Sequence, residues 1–258
     1  MNVNPDGRMD MIERHVKMIE LVADRGEIET GELARLLNTS EVTVRNDLNT
    51  LSKKGILARR RGYATLPNPD DTNYHMALHY EAKLKIAAAA AQRVRDGETI
   101  IVGTGSTCAM FAAQVVETRR NVTILTNSAY VAANLCKEPD GRIILLGGSY
   151  QKHSQCMVGP LIKRCLEDFH VGTAFVGADG FTDSGGFFGV DMERAEALRE
   201  MVRSAERVCM LLDGSKLGKS GTVSFLNAAC VAELFTDSSA DSVLCENLRI
   251  RGMHVNIV

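Results

Sequence analysis

Apolar residues recur at helical spacing in three successive runs at the start of the chain. Ile12, Val16, Ile19 and Ala23 mark a first helix that ends near Arg25-Gly26. Leu33, Ala34 and Leu37 mark a second, entered through Ile28 and Thr30, with Asn38-Thr39-Ser40 as the turn that follows. Val44, Leu48 and Leu51 stand at i, i+4 and i+7 of a third helix, with Ser40 at its N-cap and Gly55 at its stop. Residues 56–60 and 63–66 then read as two short strands turning at Arg61-Gly62. Three helices followed by a hairpin predict a winged helix-turn-helix over residues 1–66.

The pattern breaks at Pro67-Asn68-Pro69-Asp70-Asp71-Thr72-Asn73, where two prolines and several turn-formers cannot continue a strand. A linker is expected over 67–76. From 77 to 258 short apolar runs alternate with helical ones. Strands are expected at 99–102, 122–125, 142–146, 173–176, 207–212, 234–236 and 255–258. Helices are expected at 83–94, 108–116, 129–135, 161–168, 193–205 and around 241–249. Strands apolar on both faces, alternating with helices, imply a parallel sheet covered on both sides. The fold class is therefore α/β, a winged helix-turn-helix followed by a larger parallel-sheet domain. The sequence contains no internal repeat.

Composition narrows the picture. Of 258 residues, 45% are apolar and 24% charged, ordinary for a globular chain, and the net charge is −2. Residues 1–66 hold 11 Lys/Arg against 10 Asp/Glu, so the head as a whole is not basic. The local cluster is: from Arg45 to Tyr63 six cations face one acid, Asp47. Residues 1–10 are polar and acidic, unlike a secretory signal, and the longest apolar stretch is too short to span a bilayer. A cytoplasmic location without membrane association is expected. The seven cysteines, at 108, 136, 156, 165, 209, 230 and 245, form no C-x-x-C and suggest buried thiols, not disulfides or zinc. Among six histidines only His75 and His79 share helical spacing, with no acidic or thiol companion, so no metal and no cofactor is expected.

Two stretches carry candidate chemistry. On the third helix Thr43, Arg45, Asn46, Asn49 and Lys53 lie off the apolar face, beside Ser40. Arg and Asn on a free helix face suit base edges in the major groove, and Arg59, Arg60 and Arg61 on the wing suit the phosphate backbone or the minor groove. Double-stranded DNA is the expected partner. The second stretch, Gly103-Thr104-Gly105-Ser106-Thr107, leads from a buried strand into a helix. Such a turn offers backbone N–H groups, a positive helix end and two hydroxyls to an anion, a phosphate above all. Further turns at strand C-termini add Asn127 and Ser128, a Gly147-Gly148-Ser149 run, Asp179, Asp191 and Lys216. Ligands bind at those carboxyl ends in open parallel sheets. Lys216 could meet a phosphate, and Asp179 and Asp191 sugar hydroxyls.

Over nearly its whole length the sequence resembles the DeoR family of bacterial sugar-operon repressors. The resemblance is carried by L-A-R-L-L-N-T-S-E-V-T-V-R-N-D-L-N-T-L from Leu33 and K-K-G-I-L-A-R from Lys53. In the larger domain it is carried by G-T-G-S-T from Gly103, L-T-N-S from Leu125, L-G-G from Leu146, V-G-P-L from Val158, A-F-V-G-A-D-G from Ala174 and D-G-S-K-L-G from Asp213. It implies a repressor of a carbohydrate or polyol utilisation operon, with a phosphorylated sugar or sugar-alcohol effector and a homodimer or homotetramer. Three positions depart from the family pattern. Asn46 stands where a second Arg is common, Gly103 where Asp is common, and Tyr63 where the wing often has Gly, a place that strains Tyr if φ is positive there. The larger domain also resembles ribose-5-phosphate isomerases, which makes a sugar-phosphate isomerase-like enzyme the alternative. By that resemblance Glu200 would be the general base, but Asp191 stands where a catalytic lysine is expected, and a base without its cation stabilises an enediolate poorly.

Overall fold

The computed structural model describes residues 9–67, 72–135 and 141–258; positions 68–71 of the expected linker and Cys136 lie outside them. Chain contacts divide it into two units, one up to Glu81 and one from Ala82 to Val258.

In the first unit α1 (Met11–Arg25) starts at Asp10, whose carboxylate accepts the Glu13 N–H at 2.8 Å, and stops at Gly26 with φ 78°. Its buried face is Met18, Ile19 and Val22. Ile12, expected inside, is 69% exposed. β1 (Glu27–Glu29) leads into α2 (Thr30–Leu36), and α3 (Glu41–Lys53) follows. β2 (Ala58–Arg60) and β3 (Tyr63–Thr65) form the wing, with the order β1-β3-β2, all antiparallel. The sequence reading missed β1, because one apolar residue between two glutamates gives no alternation to count. Thr30 fixes the wing tip by donating its hydroxyl at 2.7 Å and its N–H at 2.9 Å to the Gly62 carbonyl. Within the expected linker the structure has a short helix, α4 (Thr72–Ala77), which packs on α1. Gly55, at φ +74°, leaves room for Asn73; a Cβ there would lie 2.9 Å from its side-chain oxygen.

α5 (Tyr80–Ala91) runs from the first unit into the second. The second unit is built on seven strands: β4 (Thr99–Val102), β5 (Val122–Thr126), β6 (Gly141–Leu145), β9 (Val171–Val176), β12 (Ala205–Leu211), β14 (Glu233–Thr236) and β15 (His254–Ile257). Every neighbouring pair is parallel, in the order β15-β14-β12-β9-β4-β5-β6. Consecutive residues Ile100, Ile101 and Val102 are all fully buried, so both faces of the central strand are covered. The helices are α6 (Ser106–Thr118), α7 (Ala129–Leu135), α8 (Leu161–Leu166), α9 (Met192–Arg203) and α10 (Ser242–Ile250). A hairpin of β7 (Ser149–Gln151) and β8 (Cys156–Val158), and an antiparallel sheet of β10 (Gly180–Thr182), β11 (Gly186–Gly189) and β13 (Val223–Leu226), were not expected from sequence.

From β4 the chain moves outward through β5 and β6, then returns to place β9 on the other flank of β4. The strand order reverses between β4 and β9, and crevices of this kind hold ligands. The thiols meet expectation in part. Burial pushes Cys108 and Cys209 up to about 12, while Cys230 is exposed.

Candidate nucleic-acid interface and effector site

α3 is seated as its pattern requires. Val44, Leu48 and Leu51 are buried. The Ser40 hydroxyl accepts the Thr43 N–H at 3.1 Å and lies 2.9 Å from the Thr43 hydroxyl, so both side chains serve the cap. Asp47 is buried beside the leucines. Arg14 donates to it in a fork at 2.6 and 3.2 Å, and His15 Nε2 lies 3.1 Å away. Burial alone would raise its pKa, but Arg14 and His15 outweigh that and hold the carboxyl below its usual range.

The opposite face is open: Arg45, Asn46, Asn49 and Lys53 are exposed. Arg45 Nη2 donates to Glu41 Oε2 at 2.8 Å, one turn back. Asn49 Oδ1 accepts from Arg59 Nη1, tying the helix to the wing. Arg59 is thus braced by α3, whereas Lys53, Arg60 and Arg61 are exposed and make no ion pair among the described residues. Arg60 pairs with Tyr63 across a two-residue loop in which Arg61 and Gly62 have φ 42° and 91°. Positive φ at both central positions is the type I′ requirement. The strain expected at Tyr63 is therefore absent there and falls on Arg61.

In the second unit the turn after β4 sits at the strand-order reversal. The Gly103 N–H donates to the Phe175 carbonyl at 2.9 Å. A Cβ on Gly103 would stand 3.0 Å from Leu198 and 3.2 Å from Val176, so an aspartate there would need both to give way. Gly105 has φ +115°, unsuited to other residues, and occupies the N-cap of α6 without a side-chain cap. Thr104, Ser106 and Thr107 are buried along the same turn. A Cβ on Gly177 would lie 3.9 Å from the Thr104 carbonyl and 3.6 Å from that of Leu211, so the ends of β4, β9 and β12 converge.

Three side chains expected to meet a ligand also brace the fold. Ser128 caps α7 by accepting the Val131 N–H at 3.2 Å, and Asp179 accepts the Val190 N–H at 2.9 Å. Asp191 caps α9, accepting the Arg194 N–H at 2.8 Å and the Gln151 amide at 3.3 Å. Burial raises its pKa and these hydrogen bonds more than cancel the rise. Asn127 differs. It is fully buried, its amide donates to the Met157 carbonyl at 3.0 Å, and among the described residues its Oδ1 has no hydrogen-bond partner.

Lys216 lies after β12, half-buried, and the structure adds a residue that the sequence reading did not name. Lys83 of α5 is only 4% exposed, close enough to Asp213 and Lys216 to feel both charges. Burial lowers its pKa to about 8, Asp213 opposing and Lys216 assisting. The signal was present in the sequence: Lys83 shares the apolar stripe of α5 with Ile86, Ala87 and Ala90. Arg194 was also overlooked; its charge, with Asp191, acts on the buried Cys156, which Thr104 and Ser154 contact.

A family model of the DeoR-like helix-turn-helix domain matches residues 14–70, and one of the DeoR C terminal sensor domain matches residues 78–238. The chain belongs to the DeoR family. The sensor match spans Lys83, the Gly103–Thr107 turn, Asn127, Asp191 and Lys216, and the head match spans the Arg14–Asp47 tie and the wing. The HTH-type transcriptional regulator GolR of Listeria innocua is 30% identical over 95% of this chain and 98% of its own. The glycerol-3-phosphate regulon repressor of Escherichia coli is 28% identical over 89% of this chain and 92% of its own. A ribose 5-phosphate isomerase from Methanocaldococcus jannaschii is similar in fold alone, at 22% identity and a TM-score of 0.40 over 54% of each chain. This DeoR-family chain is a transcriptional regulator. Glu200, the base of the isomerase alternative, is paired with Arg203 at 2.7 Å. Among the described residues no helix is long and apolar enough to cross a membrane.

Proposed function

We propose that the chain represses a carbohydrate or polyol utilisation operon and that a phosphorylated sugar or sugar alcohol in the second unit controls its grip on DNA. Arg45, Asn46 and Asn49 read the major groove, with Lys53, Arg59, Arg60 and Arg61 on the phosphates. A homodimer or homotetramer would present paired heads to repeated half-sites.

The observation that supports the effector reading best is Lys83. An ammonium this deeply buried is costly to keep charged. It lies near a second lysine, Lys216, which follows β12 at the carboxyl edge of the sheet; β9 alone separates β12 from β4, whose turn at Gly103–Thr107 leads to the uncapped start of α6. Asp213 is the carboxylate beside the two lysines, and a bound anion would add to its effect. Asn127 Oδ1, buried and without a partner among the described residues, suits a ligand hydroxyl. The name of the Escherichia coli relative points to a phosphorylated polyol for that protein, consistent with the same class here.

The test is a gel-shift titration on the promoter of the chain's own gene, with phosphorylated sugars and polyols set against their unphosphorylated parents. One phosphorylated compound should change operator affinity by about 5–150-fold, the usual span of allosteric coupling. If no phosphorylated compound changes it, the effector reading fails.

A further inference from the structure

Val42 is an exposed apolar residue on the face of α3 that carries the polar readers. It is 65% exposed in the first turn of α3, away from the buried stripe of Val44, Asp47, Leu48 and Leu51. A β-branched residue there does not favour the helix, because its side chain loses rotamer freedom against the preceding turn. It shares a face with Asn46, Asn49 and Lys53 at i+4, i+7 and i+11, and neighbours Arg45 at i+3. The stripe that carries the polar readers therefore begins with one apolar side chain. It lies at the helix N-terminus, the part that meets base edges in helix-turn-helix docking.

The base edges of the major groove are donors and acceptors with one apolar exception, the C5-methyl of thymine. Resting on the reading of α3 as the DNA-facing helix, we propose that Val42 is a specificity-determining residue that packs on a thymine methyl in each half-site. Its neighbour Arg45, braced by Glu41 at 2.8 Å, places the donor fork beside it. The methyl contact and the Arg45 contact thus fall on adjacent or next-but-one base pairs. A polar base edge in the thymine position would leave Val42 facing groups it cannot satisfy, so the discrimination is against all three other bases.

The experiment selects a preferred site for the full chain from random DNA and then replaces each thymine of a half-site by deoxyuridine, which removes only the methyl. At one thymine per half-site the wild-type chain should lose about fourfold in affinity, the worth of one buried methyl-sized group. Val42→Ala should bind the thymine and deoxyuridine sites equally. Val42→Thr, of similar shape with a hydroxyl in place of a methyl, should also lose affinity for the thymine site. Tolerance of deoxyuridine at every position, or a deoxyuridine penalty that survives in Val42→Ala, overturns the contact. Failure to select any sequence would sink the DNA-facing reading of α3 itself, a separate result from clean selection with no methyl dependence.

Discussion

Arg61 carries a conformation that suits it poorly. At φ 42° an L-residue crowds its Cβ against the following carbonyl, at a cost of roughly 1–2 kcal/mol, and asparagine bears this better because its short side chain bonds locally. Arg61→Asn should therefore raise the thermal stability of the chain by about 0.5–1 kcal/mol. It should also lower the slope of log affinity against log salt by about one if Arg61 neutralises a phosphate. Calorimetry and binding isotherms at four salt concentrations would separate the two effects. A more stable variant with an unchanged slope would place Arg61 off the DNA. The turn itself was legible, since Arg61-Gly62 between two short runs reads as a hairpin. Which residue bears the positive φ was not, because that depends on the register of Arg60 against Tyr63 and on the third strand pairing Glu29 with Tyr63.

At the scale of elements, the orientation of α3 depends on a charge that the sequence presented as incidental. Asp47 stood out only as the single acid among six cations, yet its fork with Arg14 joins the recognition helix to α1. Spacing along one helix cannot reveal a partner on another. Because the folded carboxyl ionises at lower pH than the unfolded one, the folded head binds fewer protons between the two values. Its contribution is complete above the unfolded value near 3.8 and is lost as pH falls through the folded value. Asp47→Asn should destabilise the head by about 1–3 kcal/mol at neutral pH, since it leaves Arg14 facing a neutral amide in a buried site. It should also flatten the acid limb of stability below about pH 4. Chemical denaturation from pH 3 to pH 7 checks both; an unaltered acid limb would mean that another carboxylate governs it. The same limit explains the accessory strands. β7, β8, β10, β11 and β13 are three or four residues long, too short for alternation to show, and α4 follows prolines that read as linker.

For the whole molecule, alternating apolar runs were enough to foresee a parallel sheet, but not the order of its strands. That order leaves only β9 between β12 and β4, and Lys83 of α5 lies close enough to Asp213 and Lys216, which follow β12, to feel both charges, although they are far apart in the chain. Its consequence is measurable. With a folded pKa near 8 against 10.5 when unfolded, Lys83 is charged at neutral pH at a cost of roughly 3 kcal/mol to the ligand-free fold. That penalty is present below pH 8 and relieved as pH rises from 8 towards 10.5, the reverse of a lysine stabilised by its partner. A bound phosphate monoester would favour the charged form and raise the pKa again. Its own second ionisation lies near pH 6, so above pH 7 the ligand's charge is constant and any further change in affinity belongs to the protein. The dissociation constant of the phosphorylated effector should therefore rise by up to about tenfold per unit above pH 8, as Lys83 must take up a proton to hold it. Calorimetric titrations at pH 7, 8, 9 and 9.5 would show this. Lys83→Gln should bind more weakly at pH 7 and lose the dependence, while Lys216→Gln should weaken binding and keep it. A wild-type affinity that stays flat from pH 7 to 9.5 would remove Lys83 from the anion site and leave its burial unexplained.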